Sequence, residues 1–173
     1  EVKEIIPNVL DNFDDLNRDL EDFIKKILPF EDVNEYTFRF LSSCLSGEVR
    51  EEKFYFWTGS GSNGKSKVIE LIEATLGDYS KIMDVAYITT KRGSSSAASP
   101  ELERIRYARF VYMSEPDKDD QIFVGKLKQI TGGDKMSSRG LFKEASDFKP
   151  QFKIILMCND LPKLANIDGG VVR

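Results

Sequence analysis

Apolar positions follow two rhythms along this chain of 173 residues. Helical stripes open it, and short apolar runs set between helical stretches fill the rest. From Asp11 to Leu28 apolar residues stand at 13, 16, 20, 23, 24, 27 and 28, one face of an amphipathic helix that Pro29 stops. A second helix is expected next. Asp32 and Glu35 have capping-box spacing, Val33, Tyr36, Phe40, Leu41, Cys44 and Leu45 supply its face, and Gly47 ends it. Two short amphipathic helices cannot bury their faces alone, so residues 1–48 are expected to form a helical segment that packs together and against the next domain, as a structural or oligomer-contact bundle.

From Lys53 the pattern changes. An aromatic, strand-prone run (Phe54, Tyr55, Phe56, Trp57) leads through Gly59, Gly61 and Gly64 into a helix carrying Val68, Ile69, Leu71, Ile72 and Leu76, closed by Gly77. A strand is expected over Lys81–Thr89, from Ile82, Val85, Tyr87 and Ile88. The small, polar stretch Lys91–Ser99 reads as a mobile loop, and Pro100–Ile105 as a short helix with proline in its first turn. Arg109–Glu115 is a short apolar strand ending in a carboxylate. Gln121–Ile130 reads as a helix capped by Asp120, with Ile122, Phe123, Leu127 and Ile130 on its buried side. A turn at Thr131–Asp134 precedes a β-hairpin whose tip carries Arg139, Phe142 and Lys143. Lys149–Cys158 is a strong strand that runs into Asn159, and the tail Asp168–Arg173 is too short to fold.

The strand, glycine loop and helix carry the first candidate chemistry. Gly59, four residues, then Gly64-Lys65-Ser66 is the Walker A spacing in its confirming context. Glycines let successive backbone N–H groups point inward toward an anion at the positive end of the following helix. Gly59, Ser60, Gly61, Ser62, Asn63, Gly64, Lys65, Ser66 and Lys67 are therefore the candidate residues for a triphosphate, with Lys65 on the β- and γ-phosphates and Ser66 on Mg²⁺. A glycine-rich surface turn is the plain alternative. At the end of its strand Glu115 is placed to orient or deprotonate an attacking water and to stand with Ser66 at the metal; otherwise it is a core strand reaching the surface. Ser114 occupies the position where an aspartate commonly assists magnesium, with Asp117 as a weaker substitute. Asn159 is poorly placed for packing and well placed to hold a water or a γ-phosphate. Basic side chains beside an exposed aromatic suit a single-strand contact at the hairpin, or else only keep its edge soluble.

Charge and composition narrow the classes. The net charge is −4, split unevenly: residues 1–50 carry 12 acidic and 6 basic side chains, the remainder 17 and 19, so any nucleic-acid contact must be local. There is no histidine, which removes His-based nucleophilic triads and His-ligated zinc. Cys44 and Cys158 have no metal spacing and are expected as buried free thiols. No apolar run approaches a membrane span and no signal peptide opens the chain, so no membrane partner and an intracellular location are expected. A start at Glu1 without methionine and a stop at Arg173 without a recognisable end suggest a fragment of something larger.

Four features stand in one order: G-S-G-S-N-G-K-S, V-Y-M-S-E, K-Q-I-T-G-G-D-K-M-S-S-R-G-L-F-K-E and K-I-I-L-M-C-N-D-L-P. Together they resemble the superfamily 3 helicases, of the primase-helicase type found in poxviruses, giant DNA viruses and some phages, over about residues 37–173. The resemblance implies an α/β fold, a P-loop AAA+ type parallel sheet with helices on both faces over residues 49–173, preceded by the small N-terminal helical segment and lacking the C-terminal part of the module. It implies ATP and Mg²⁺ as cofactors, and single-stranded DNA and further copies of the chain, as a hexameric ring, as partners. The function implied is ATP-driven translocation and duplex unwinding, in the host cytoplasm or at a viral replication site. Residue by residue it implies phosphate and metal binding by Lys65 and Ser66, water activation by Glu115, γ-phosphate sensing by Asn159, and a DNA grip by the hairpin with Arg139, Phe142 and Lys143. Arg173, or the residue after it, stands at the arginine-finger position toward a neighbouring subunit. Two rival classes remain: another P-loop enzyme such as a small-molecule kinase, and a nucleotide-binding oligomerisation module without turnover.

Overall fold

In the computed structural model residues 13–90, 99–140 and 142–165 are described. Two units divide the chain, Glu1–Leu41 and Ser42–Arg173. In the first, helix α1 (Phe13–Ile27) places Asp14 and Asp15 in its first turn and Lys25 and Lys26 in its last, each sign matching the helix dipole at its end. Helix α2 (Glu31–Ser43) starts one residue before the expected Asp32 cap. Phe30 already offers its carbonyl to the Asn34 N–H at 2.9 Å, so Asp32 falls inside the first turn, where its carboxylate accepts from the Val33 N–H.

The second unit follows in the order β1 (Phe54–Thr58), α3 (Lys65–Leu76), β2 (Ser80–Ile82), α4 (Ala86–Thr89), α5 (Pro100–Ile105), β3 (Phe110–Met113), β4 (Gln121–Phe123), α6 (Val124–Thr131), β5 (Met136–Ser138), β6 (Ser146–Phe148), β7 (Lys153–Cys158) and β8 (Lys163–Ala165). It is a mixed α/β arrangement around a four-stranded sheet ordered β1-β7-β3-β2, and all three pairings are parallel. The central strands are the most apolar. All four residues of β3 are buried, and Ile154, Ile155 and Leu156 of β7 are closed to solvent, as strands covered on both faces require. Strand β1 lies at the sheet edge and stays half-buried despite its aromatic residues. Ile105, Val111, Met113, Ile122, Ile130, Ile154 and Leu156 form the heart of the core.

Three expected elements are corrected. Helix α2 stops at Ser43, short of the expected Gly47, so Cys44 and Leu45 lie in the turn beyond it. The strand expected over Lys81–Thr89 is β2 alone. Beyond Met83 the Asp84 carboxylate accepts the Ala86 N–H at 2.8 Å and starts α4, whose Ile88 is wholly buried. The helix expected from Gln121 begins only at Val124. Residues 121–123 instead pair in parallel with β8, and Asp120 is not a cap: its carboxylate accepts the Asp117 N–H and closes a turn. The short helix opened by Pro100, the Gly77 terminus of α3 and the hairpin, which is β5 antiparallel to β6, agree with expectation. The stretch read as a mobile loop lies outside the described residues except for Ser99, as do the tail and Arg173.

Long-range cations secure the chain that leads into β1. Lys153 Nζ donates to the carbonyls of Ser43 and Glu48, each at 2.8 Å, and Arg109 Nη1 donates to that of Leu45 at 2.6 Å. These are carbonyls at and beyond a helix end, where positive charge is favoured. The Arg109 guanidinium also lies 4.2 Å from the centroid of the Tyr79 ring. The neighbouring Cys44 is a buried free thiol, its pKa raised to about 11 by burial and drawn partly back by Lys153. Replacing Lys153 with Met leaves two carbonyls without their donor. It is expected to cost about 2–3 kcal/mol, read as a lower midpoint of urea unfolding; an unchanged midpoint would show that the ammonium secures nothing.

Candidate functional site

Parallel pairing decides where chemistry can gather. With β1, β7 and β3 side by side and in the same direction, their C-terminal ends open on one edge, Thr58 level with Cys158 and Met113 level with Leu156. The glycine loop leaves β1 there, Ser114 and Glu115 leave β3, and Asn159 leaves β7. In open parallel sheets this edge is where ligands bind.

The loop owes its shape to particular residues. A Cβ on Gly59 would lie 2.0 Å from Asn63 Nδ2, so only glycine admits the Asn63 amide folded back over it. Ser62 at φ 62° and Gly64 at φ 89° adopt left-handed backbone and curl the chain into α3. The N-cap residue Gly64 offers no side chain, and the Lys65 N–H makes a long bond of 3.5 Å to Asn63 Oδ1, so the following first-turn N–H groups, which have no intrahelical acceptors, are available to an anion. Lys65 is held over the loop: its Nζ donates to the Gly59 carbonyl at 2.6 Å and to Asn63 Oδ1 at 3.2 Å.

Across the cavity Glu115 is held by one residue. The Asn159 backbone N–H donates to Oε1 and the Asn159 side-chain amide to Oε2, both at 2.8 Å. The cavity between them measures about 530 Å³ and is lined by residues 61–67 with Ser114, Glu115, Met157, Cys158 and Asn159. Thus Lys65, Ser66, Glu115 and Asn159 share one cavity with Gly61, Ser62, Asn63, Gly64 and Lys67. Gly59 and Ser60 lead into the loop without lining it. Among the described residues no cluster of three His, Cys, Asp or Glu side chains is poised to hold a metal, and Asp117 sits in the turn closed by Asp120. The cavity can receive an anion at the loop and a water beside Glu115.

Arg139, Phe142 and Lys143 stand elsewhere, at the tip between β5 and β6, around a depression shared with Glu144 and Ala145. Phe142 is fully exposed, and its φ of 59° helps carry the chain round the tip. Arg139 Nε donates to the Lys143 carbonyl at 3.2 Å, so the two cationic residues are joined. Two features of the site escaped sequence reasoning. Tyr112 on β3 donates its hydroxyl to Glu73 Oε1 on α3 at 2.7 Å, tying the strand of Glu115 to the helix of Lys65. Burial, then the Glu73 carboxylate, raises the Tyr112 phenol to about 12. Cys158 lines the cavity, and only its place just before Asn159 signalled that.

The Cys158 thiol reports on the site's charges. Burial raises its pKa above 9.0, Glu115 raises it further, and Lys65 lowers it. With Cys44→Ala leaving Cys158 as the one thiol, thiolate absorbance followed against pH is expected to titrate earlier in Glu115→Gln and later in Lys65→Met. Burial remains in both variants, so the glutamine variant still titrates above an ordinary thiol. Identical curves in the three proteins would separate the thiol from both charges.

Several known proteins resemble the chain. It is 47% identical over 164 residues to "Putative helicase L207/L206" of Acanthamoeba polyphaga mimivirus, covering 95% of this chain and 17% of that protein. It is 35% identical over 150 residues to "Putative helicase 121R" of Invertebrate iridescent virus 3, covering 84% of this chain and 16% of that protein. Against "Putative primase C962R" of African swine fever virus the identity is 21%, over 87% of this chain and 16% of the other. The chain thus spans about one sixth of the length of these curated relatives. Its fold is shared with the apo structure of the NrS-1 C-terminal region, at a TM-score of 0.59 and 13% identity over 86% of this chain and 35% of that one. A family model described as a family of unknown function (DUF5906) matches residues 57–173, from the end of β1 through every residue that lines the cavity, and the chain belongs to that family.

Proposed function

We propose that the cavity binds and hydrolyses ATP with magnesium, and that the chain is the P-loop AAA+ core of a superfamily 3 type DNA helicase serving viral or phage replication. One observation carries this reading: the glycine loop with Lys65 and Ser66, the Glu115 carboxylate and the Asn159 amide meet in a single cavity at the C-terminal edge of a parallel sheet. The helicase and primase names of the viral relatives support the step from ATPase to DNA motor.

The chain's own residues supply the steps. Lys65 exchanges the Gly59 carbonyl and Asn63 for β- and γ-phosphate oxygens, which offer an ammonium stronger, charge-assisted bonds. Ser66 and Glu115 line the cavity with a hydroxyl and a carboxylate, oxygen donors of the kind magnesium takes, and they would hold it there together with phosphate oxygens and water. Bound magnesium neutralises charge on the phosphates. While Asn159 bonds to both oxygens of Glu115 the carboxylate is turned to the protein. As the Asn159 amide turns to a γ-phosphate, one oxygen is released to orient the attacking water. Arg173, or the residue after it, acts on the ATP of the next subunit in a ring, and the hairpin with Arg139, Phe142 and Lys143 grips single-stranded DNA by phosphate contact and base stacking.

The test is ATPase rate against protein concentration, with and without single-stranded DNA, for the parent, Lys65→Ala and Glu115→Gln. The parent's rate per subunit is expected to climb with both. Lys65→Ala loses nucleotide binding, and Glu115→Gln keeps nucleotide while turnover falls by about 10²–10³. DNA-stimulated turnover that survives removal of Lys65 would overturn the reading, as would unchanged turnover in Glu115→Gln.

A further inference from the structure

Among the described residues the hairpin that carries Arg139, Phe142 and Lys143 has three paired rungs: Met136 with Phe148, Ser137 with Asp147 and Ser138 with Ser146. An isolated two-stranded ribbon of that length is marginal in water; packing holds its base, since Met136 and Phe148 are buried in the core, and the end toward the tip needs a second anchor. The last rung before the tip shows that anchor. Arg106, immediately after α5, donates through Nη2 to the Ser146 carbonyl at 3.0 Å, to the Ser146 hydroxyl, and more weakly to Ser138 Oγ at 3.4 Å. The Ser138 hydroxyl in turn donates to Glu103 Oε2 at 2.6 Å, and that oxygen lies 3.6 Å from Arg106 Nε. The guanidinium also sits 5.4 Å from the centroid of the Phe148 ring. One planar cation and one carboxylate thus hold both strands of the ribbon. The Arg106 side chain is only 13% exposed, too enclosed to serve as a surface DNA contact. Ser99, just ahead of α5, adds a reciprocal pair: its N–H donates to the Arg139 carbonyl and its hydroxyl accepts the Arg139 N–H, both at 3.0 Å.

The clasp sits on a segment that leads straight to the cavity. Ile105, Ala108 and Phe110 are closed to solvent. The Arg109 N–H donates to the Tyr79 carbonyl at 2.8 Å, and the Arg109 carbonyl accepts the Lys153 N–H at 2.9 Å, so the chain entering β3 is fixed on both sides. Strand β3 then delivers Glu115. We propose that Glu103 and Arg106 are positioning residues for the DNA grip: they fasten the hairpin to the rigid segment that ends in Glu115, so the hairpin's direction follows that strand and not the strands of the ribbon itself. This rests on the proposed DNA-binding role of the hairpin.

Arg106→Lys tests it while keeping the charge, because an ammonium lacks the planar fork that spans two strands. The double variant Ser138→Ala with Ser146→Ala removes the hydroxyl bonds to Arg106 and Glu103 without touching α5, and leaves Arg106 its bond to the Ser146 carbonyl. Three quantities are measured in each: amide hydrogen exchange, affinity for a labelled oligo(dT) with and without Mg–ATPγS, and affinity for Mg–ATPγS alone. Exchange at 136–138 and 146–148 is expected to quicken by about tenfold or more while β3 and β7 keep the parent's protection. Oligo(dT) binding weakens, the factor by which Mg–ATPγS alters it falls toward one, and Mg–ATPγS affinity stays that of the parent. Unchanged hairpin exchange in both variants would overturn the proposal. So would a loss of protection spreading through β3 and β7, which would make Arg106 a general core residue. A parent that binds neither oligo(dT) nor Mg–ATPγS would sink the helicase reading instead, and the exchange pattern would still decide the clasp.

Discussion

The arrangement depends on β7 lying between β1 and β3 and pairing with both in parallel. Parallel strands cannot be joined by tight turns, so each returns to the same end of the sheet through a crossover, and each leaves its C-terminal residue at the same edge. That constraint brings a loop after residue 58, a carboxylate at 115 and an amide at 159 together, though nothing in their sequence separation would do so. It also sets the composition of the strands. Central strands with both faces covered must be apolar along their whole length, and the polar residue that follows each one is the first free to do chemistry.

The charged groups of the cavity are already engaged with the protein. Lys65 satisfies the Gly59 carbonyl and the Asn63 side chain, and Glu115 is satisfied twice over by Asn159. A cation and an anion facing one cavity would otherwise attract each other or bind stray ions. Local bonds hold each on its own side of the cavity, and each of these contacts is to a neutral dipole, weaker than one between two charged groups. Gly59 is part of this device: its missing side chain leaves room for the Asn63 amide.

Polar contacts between distant elements do at the periphery what apolar packing does at the centre. Lys153 and Arg109 draw the chain after α2 onto the sheet, Tyr112 joins β3 to α3 through Glu73, and Arg106 with Glu103 orients the hairpin. Each is made by a long or planar side chain reaching a partner far away in sequence. The hairpin base is packed through Met136 and Phe148, and toward the tip these polar contacts take over.

By itself the sequence determined what local rules govern. The glycine loop and the helix after it were legible because glycine spacing and apolar periodicity are local, and so were the buried runs of β3 and β7, the Pro100 start of α5 and the turn between β5 and β6. Tertiary structure decided the rest. Residues 121–123 look helical from their apolar spacing but become a strand because β8 lies beside them. The apolar residues after Ile82 continue a strand pattern that Asp84 breaks. The bond between Glu115 and Asn159 joins residues 44 positions apart, and Arg106 meets Ser146 across 40. Such pairings leave no trace in periodicity or propensity, because they follow from strand order, which is settled by how whole faces pack and not by any one stretch of chain.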